Sequence, residues 1–448
     1  MSEEKSQTIG LPKLSNSMIW MINFGFLGVQ TAFTLQSSQM SRIFQTIGAD
    51  PNNLGWFFIL PPLAGLIVQP IIGYYSDRTW APKLGGRRLP YLLLGTIVAV
   101  IVMLLLPNSG SFGFGYGSLA ALWFGAITVA FLDLSSNVAM QPFKMMVGDM
   151  VNDDQKSYAY GVQSFLSNTG AVLAAIFPFL LTWFGVPNKA AKGVVPQSVI
   201  ISFYVGAALL VITSLFTVFR VHEYDPATYA KYHGISEEDN KEGGNWLTLL
   251  RHAPKAFWTV TLVQFFCWFA FQYLWTYSAG AIASNVWHTT NATSAGYQAA
   301  GNWYGVLAAV QSIAAVIWSY VLAKVPNKYH KLGYAGSLFL GAIGFLSIFF
   351  IHDQWTLIIS YSLVGIAWAG MNTYPLTIVT NALSGKHMGT YLGLFNGSIC
   401  LPQIVASLLS FIIFPMLGGS QAHMFLLAGV VMILAALSVN TIHETYVQ

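Results

Sequence analysis

The chain has 448 residues, of which 55% are hydrophobic and only 8% carry a charge, against roughly 25% charged residues in an ordinary soluble protein. So few charges cannot keep a folded chain of this length in water, which excludes a soluble multidomain protein and points to an all-α integral membrane protein. The net charge is +4, and where the charges fall says more than their sum.

Membrane hydrocarbon about 30 Å thick needs roughly 20 apolar residues of helix. Runs of that kind lie near 18–37, 53–73, 90–107, 118–140, 162–184 and 199–219, and again near 257–280, 301–323, 334–351, 356–383, 389–413 and 422–440. The pattern predicts twelve transmembrane helices in two bundles of six, over residues 1–220 and 256–448, joined by a linker at 221–255. Met1 to Gly10 are polar, so no cleavable leader is expected and the first span serves as its own insertion signal.

The first span carries Gln30 and Thr34 one helical turn apart. Between the second and third spans, Asp77 and Arg78 precede Gly85-Gly86-Arg87-Arg88, a short turn that reads as a charge lock tying helix ends together. The plainer reading, simple positive-inside signalling, applies to the same residues. The Gly-rich stretch at 112–117 has no strand before it, so it does not read as a nucleotide-binding loop.

The fourth span contains the one carboxylate that this map places inside the membrane, Asp133. Insertion scales set an ionised Asp there at about 2.5–3.5 kcal/mol, a cost that persists only if the group faces a cavity or a partner. Burial disfavours the charged form, which suits Asp133 to taking up a proton on one side and releasing it on the other. The competing reading is a structural Asp satisfied by a Ser or Asn of a neighbouring helix. Asn137 shares its face at i+4, so one stripe could both titrate and hold a sugar hydroxyl.

Gln163 and Ser167 follow in the fifth span. The linker contains the acidic run Glu237-Glu238-Asp239 and has room for one or two short surface helices, but not for a catalytic domain. The seventh span spaces Trp268, Gln272 and Trp275 at i, i+4 and i+7. Asn291-Ala292-Thr293 is a glycosylation sequon. The tenth span offers Trp368, Asn372 and Tyr374 before Pro375, and the eleventh Asn396 and Gln403. Singly, such residues serve as contacts between helices more often than as ligand contacts. Together, amides that donate and accept at once, aromatic plates and no second buried charge point to an uncharged sugar.

The two cysteines, Cys267 and Cys400, lie in apolar stretches, leaving neither a disulfide framework nor a thiolate metal site. No catalytic nucleophile–base pair, metal cluster or phosphate loop is visible, so neither an enzyme nor a cofactor is expected, and the lipid bilayer rather than a nucleic acid is the surrounding partner. With the N-terminus in the cytoplasm, seventeen of the twenty Lys and Arg fall inside and only Arg42, Lys189 and Lys192 outside. That bias predicts a multi-pass cell-membrane protein with both termini cytoplasmic. Two bundles about a mid-membrane site are what alternating access requires.

Gly73-x-x-x-Asp77-Arg78 with Gly86-Arg87-Arg88 resembles the signature loop of the major facilitator superfamily. Gly28-Val29-Gln30 with Leu35-Gln36, the stretch Gln69 to Arg78, and Leu392 to Asn396 with Pro402-Gln403 resemble the plant-type sucrose–proton symporters and their bacterial disaccharide-carrying relatives. So does the fourth-span series Asp133, Asn137, Pro142, Lys144 and Asp149. The resemblance implies the major facilitator fold, a proton-coupling role for Asp133, and a place for Lys144 and Asp149 beside the gating charges. The chain departs from the plant pattern at Lys144, where an Arg is usual, and at Trp275 and Tyr277, where acidic residues stand. The expectation is a monomeric proton-coupled importer of a neutral disaccharide, maltose ahead of sucrose. The rivals are a melibiose-type cation symporter, which would want a cluster of carboxylates, and a sugar sensor, which would want a signalling domain.

Overall fold

Ser15 opens the first helix: its hydroxyl accepts from the Met18 N–H at 3.2 Å, satisfying one of the free donors of the first turn. In the computed structural model, which describes residues 11–233, 246–322, 324–382, 391 and 394–442, that helix, α1, runs over Asn16–Thr46. A short helix, Leu54–Phe58, leads into α2 (Leu60–Arg78). There follow α3 (Leu89–Leu105), α4 (Leu119–Met150), α5 (Asp153–Trp183) and α6 (Gln197–Arg220). The second half holds α7 (Lys255–Val286), α8 (Ala295–Leu322), α9 (His330–Phe350), α10 (Leu357–Ala382), α11 (Gly397–Met416) and α12 (His423–Ser438).

Among the described residues, eleven stretches are long and apolar enough to cross a membrane. The twelfth of the pattern, α10, has 26 residues and is made more polar by Asn372, Thr373 and Tyr374. The fold is therefore all-helical with twelve spans, and no β-strand occurs among the described residues. Within the linker the described residues form two short helices, Pro226–His233 and Trp246–Arg251; the acidic run lies outside the described residues.

In the first half α1 packs on α5 and α6; in the second α10 packs on α9 and α8, and α12 on α7 and α9. Small residues bring backbones together, as van der Waals packing in lipid favours. Gly28 of α1 faces Leu210 and Thr213 of α6 with no room for a Cβ. Between the halves, Gly305 of α8 seats directly on the Ala175 carbonyl of α5. Exposed side chains such as Ile97, Ile101, Ile127 and Ile212 leave an apolar outer surface.

Two helices run nine or ten residues past their expected ends. Apolarity delimited the first span to 18–37 and the fourth to 118–140, whereas α1 continues to Thr46 and α4 to Met150. The polar stretch Gln36–Gln45 is buried between helices, where hydrogen-bonding partners rather than lipid decide what is tolerated. Arg42 is consequently no loop residue: it is fully buried within α1. This corrects the expectation that Asp133 is the only charge inside.

Candidate functional site

The starts of α1 and α7 and the turn between α2 and α3 lie at one end of the bundle, here the basic end; the opposite end is the far end. Asp133, 3% exposed on α4, accepts from Gln36 Nε2 of α1 at 3.2 Å on Oδ1 and from Asn137 Nδ2 at 2.8 Å on Oδ2. The Asn137 amide also holds the Asp133 carbonyl at 2.9 Å, so one turn of α4 fixes both residues. A Cβ on Gly65 of α2 would lie 3.8 Å from both Asn137 Nδ2 and Cys400 Sγ of α11. Asp133 thus stands where three helices of the first half meet one of the second. Among the described residues it has no cationic partner. Gln36 Oε1 is buried without a hydrogen-bond partner.

Lys144 lies eleven residues on, on the same face of α4 and about 16 Å nearer the basic end, and is exposed. Among the described residues it neither neutralises Asp133 nor joins the ion pairs at that end, where the resemblance had set it beside the gating charges. Ser164 on α5 and Asn372 on α10 are also exposed on the basic side of mid-span.

At the basic end, Arg87 Nη2 and Arg88 Nε each lie 3.1 Å from Asp149 Oδ2, and the Tyr229 hydroxyl donates to Asp149 Oδ1 at 3.2 Å. Arg88 also donates to Ser76 Oγ at 2.6 Å, and the Arg87 guanidinium lies 3.8 Å from the Tyr229 ring centroid. Glu223 Oε1 accepts the N–H groups of Arg88 and Leu89 at 2.8 and 3.0 Å, capping α3 at its positive end. Burial pushes the Glu223 carboxyl up from its ordinary value, against the lowering effect of those backbone bonds. The described members of this cluster belong to the first half or the linker, so these contacts fasten α2, α3 and α4 to the chain after α6. The side chains of Asp77 and Arg78 lie outside the described residues.

The other expected ligand contacts divide. Gln30 and Thr34 are half-buried and share a 3.4 Å hydrogen bond, and Ser167 is half-buried on α5. Trp275 and Trp368 are half-buried against Trp268, with ring centroids 6.2 and 5.5 Å from it. Asn396 and Gln403 are half-buried on one face of α11, Gln403 donating to the Ile399 carbonyl of its own helix. Asn372 likewise donates to its own helix, at Trp368.

Four residues are placed otherwise than their spacing suggested. Gln163 is buried, its amide donating to Asn23 Oδ1 and to the Phe143 carbonyl at 2.9 and 3.2 Å, a brace inside the first half. Gln272 donates to the Phe58 carbonyl and to Ser407 Oγ, both at 2.8 Å, and so seals the halves to each other. The Trp268 indole N–H is held by Gln264 Oε1 at 2.6 Å. Tyr374, two residues from Asn372, sits on a different face of α10 and packs against Tyr334 and His330 of α9.

Toward the far end the halves are closed. Arg42 donates to four amide oxygens: Gln298 Oε1, Asn302 Oδ1 and Asn188 Oδ1, each at 2.7 Å, and Gln39 Oε1 at 3.3 Å. Ser41 reaches the Thr276 carbonyl at 2.7 Å, and Gln45 pairs with Gln421. Among the described residues, every hydrogen bond between the two halves lies from mid-span to this end. Sequence reasoning missed Arg42 because a cation beside polar residues reads as a loop. It used Gln36 only as part of a resemblance, since nothing in the spacing of α1 says that it faces Asp133.

Comparisons with known proteins agree with this architecture. The Major Facilitator Superfamily profile matches residues 22–407. Sucrose transport protein SUC4 of Arabidopsis thaliana is 22% identical over 429 residues, covering 88% of this chain and 84% of that protein. Sucrose transport protein SUT5 of Oryza sativa subsp. indica is 24% identical over 442 residues, covering 85% and 79%. Among solved structures, nucleoside transporter NupG superposes with a TM-score of 0.67 at 13% identity, covering 96% of this chain and 100% of that one. An inward-facing, unoccupied bacterial homologue of the human lysosomal transporter Spinster does so at 0.68 and 14%, covering 95% and 97%. At those identities the structures speak for the fold alone. A profile match over this much of the chain, carried on twelve spans in two bundles, establishes that the protein belongs to the major facilitator superfamily of membrane transporters.

Proposed function

We propose that the protein is a proton-coupled symporter that imports a neutral disaccharide, an α-glucoside of the maltose or sucrose type. The observation that carries this reading is Asp133, a buried carboxylate between the halves whose two oxygens are each held by one side-chain amide. Both partners are neutral, so the charge is solvated only by dipoles, and a proton arriving at Asp133 removes a charge rather than breaking an ion pair. Neutralisation lowers the cost of closing helices around the site, which ties turnover to the proton.

The half-buried amides Gln30, Asn396 and Gln403 suit hydroxyls, the half-buried Trp275 and Trp368 near mid-span suit pyranose faces, and the relatives matched over most of their length are named for sucrose transport. With seventeen of the twenty basic residues assigned to the cytoplasm, the basic end is cytoplasmic. The closed far end then faces outside. One proton moving with a neutral sugar gains about 2.3 kcal/mol per 100 mV, enough for roughly fifty-fold accumulation. A melibiose-type cation site is less well supported, since no cluster of three potential metal ligands occurs among the described residues.

The test is uptake of labelled maltose and sucrose into proteoliposomes under an imposed pH gradient, with sodium present or absent. Uptake abolished by a protonophore and indifferent to sodium is expected. A sodium requirement, or accumulation of neither sugar, overturns the reading.

A further inference from the structure

A cavity of about 260 Å³ opens at the far end of the seam between the halves, where α5 meets α8. Its wall is aromatic: Phe179, Trp287, Trp303 and Trp355. Trp303 is fixed by its indole N–H, which donates to the Gln354 carbonyl at 2.9 Å, and Phe179 and Trp355 stand edge-on to it with centroids 6.2 and 4.9 Å away. Trp355 is 62% exposed. Asn188 and Asn302 also line it.

Those two amides are also half of the cage around Arg42. Asn302 accepts from the guanidinium through Oδ1 and donates through Nδ2 to Thr182 Oγ1 at 2.8 Å. Asn188 accepts from Arg42 and from Ser198 Oγ, and its Nδ2 has no hydrogen-bond partner among the described residues. The cavity is separate from the Asp133 site: Arg42 lies six residues beyond Gln36 on α1, about 9 Å farther along the helix.

We infer that this cavity is a vestibule subsite that receives one pyranose ring of the sugar from the outer solution before the central site is exposed. The inference rests on the sugar-transport reading above and extends it. Four ring systems offer apolar faces to the C–H side of a sugar, and the two amides offer both donors and acceptors to its hydroxyls. No carboxylate or cation is among the residues that line the cavity, and the Arg42 guanidinium behind its amides is already enclosed by amide oxygens, which favours an uncharged polyol over an ion. The volume lies just under the roughly 300–1,000 Å³ of drug-sized pockets, so it takes one ring of a disaccharide and leaves the other in solvent. A hydroxyl that donates to Asn188 or Asn302 competes with Arg42 for the same oxygens. Occupancy therefore loosens the contacts that hold the outer end shut, and external sugar promotes its own admission.

The test compares uptake of maltose and sucrose by the full-length protein in right-side-out and inside-out vesicles, for wild type, Trp355→Ala and Trp355→Phe. Trp355 is exposed, so its truncation leaves the packed helices intact. A KM raised about three- to tenfold by Trp355→Ala from the outer face only, and restored by Trp355→Phe, is expected. An unchanged KM, or the same change from both faces, overturns the subsite while leaving the transport reading standing. Wild-type vesicles that move neither sugar overturn the reading itself, and the sugar subsite with it.

Discussion

Arg42 on α1 and Asn302 on α8 lie 2.7 Å apart across the seam between the two halves, and the acceptors around that guanidinium are amides throughout. A buried cation without a carboxylate is held by geometry: the planar fork reaches several oxygens at once, as a lysine ammonium cannot. Hydrogen bonds from a charged donor are worth about 1.5–3 kcal/mol each. Three of the four acceptors lie off α1, and two of them in the opposite half, so the cluster is suited to holding the far end closed.

Arg42→Ala, and to a lesser degree Arg42→Lys, should shift the resting population toward a far-end-open state by tenfold or more, since about 1.4 kcal/mol changes an equilibrium tenfold. Spin labels on Lys189 and Asn291, both exposed at that end, report the change as a longer distance distribution. A distribution identical to wild type would show that Arg42 does not hold the seam.

Asp133→Asn keeps the size of the side chain and removes its charge and its proton. Uphill uptake of sugar under a pH gradient should fall to background, while exchange of sugar down its gradient persists. Accumulation by the variant at the wild-type level would take proton coupling away from Asp133.

Gln36→Ala removes the donor to Asp133 Oδ1 and leaves Asn137 as the one remaining side-chain amide on the carboxylate. The ionised form loses support, so the proton is held more firmly. The pH profile of uptake should move to more alkaline external pH, and turnover should slow because release is harder. An unmoved profile would mean that Gln36 is only a packing residue.

Glu223→Ala leaves the N–H groups of Arg88 and Leu89 without their acceptor, and should cost about 1–2 kcal/mol, read as a lower Tm of the purified protein. Glu223→Gln keeps an acceptor and should cost less. Because burial raises the folded-state value, the protonated carboxyl is the form the fold favours. Its contribution is complete below the ordinary value of 4.5 and is lost as pH rises through the raised one. Wild type should therefore shed some stability over that interval, and Glu223→Gln should not. Equal pH dependence in both would assign the effect to another group.

The span count, the two-bundle division and the presence of a carboxylate, Asp133, inside an apolar run were legible in the sequence. Each depends on a local property: lipid demands an apolar run of fixed length, and an acid inside one stands out against its neighbours. Arg87, Arg88 and Asp149 were flagged as gating charges and do meet at one end, where their contacts among the described residues fasten parts of the first half. Lys144, flagged with them, stays apart.

What a polar side chain inside a span faces was decided by the tertiary structure. Gln163, Gln272 and Gln30 look alike along the chain, yet one braces a bundle, one seals the seam and one is half-exposed beside Thr34. Helical spacing gives a shared face but not its direction, and that depends on how each helix is rotated against its neighbours. Arg42 makes the same point more strongly. Apolarity alone ended the first span before it, because a charge next to lipid is costly, whereas a charge inside a ring of amides is much less so, and the amides come from Gln39, Asn188, Gln298 and Asn302, as far as 260 residues along the chain.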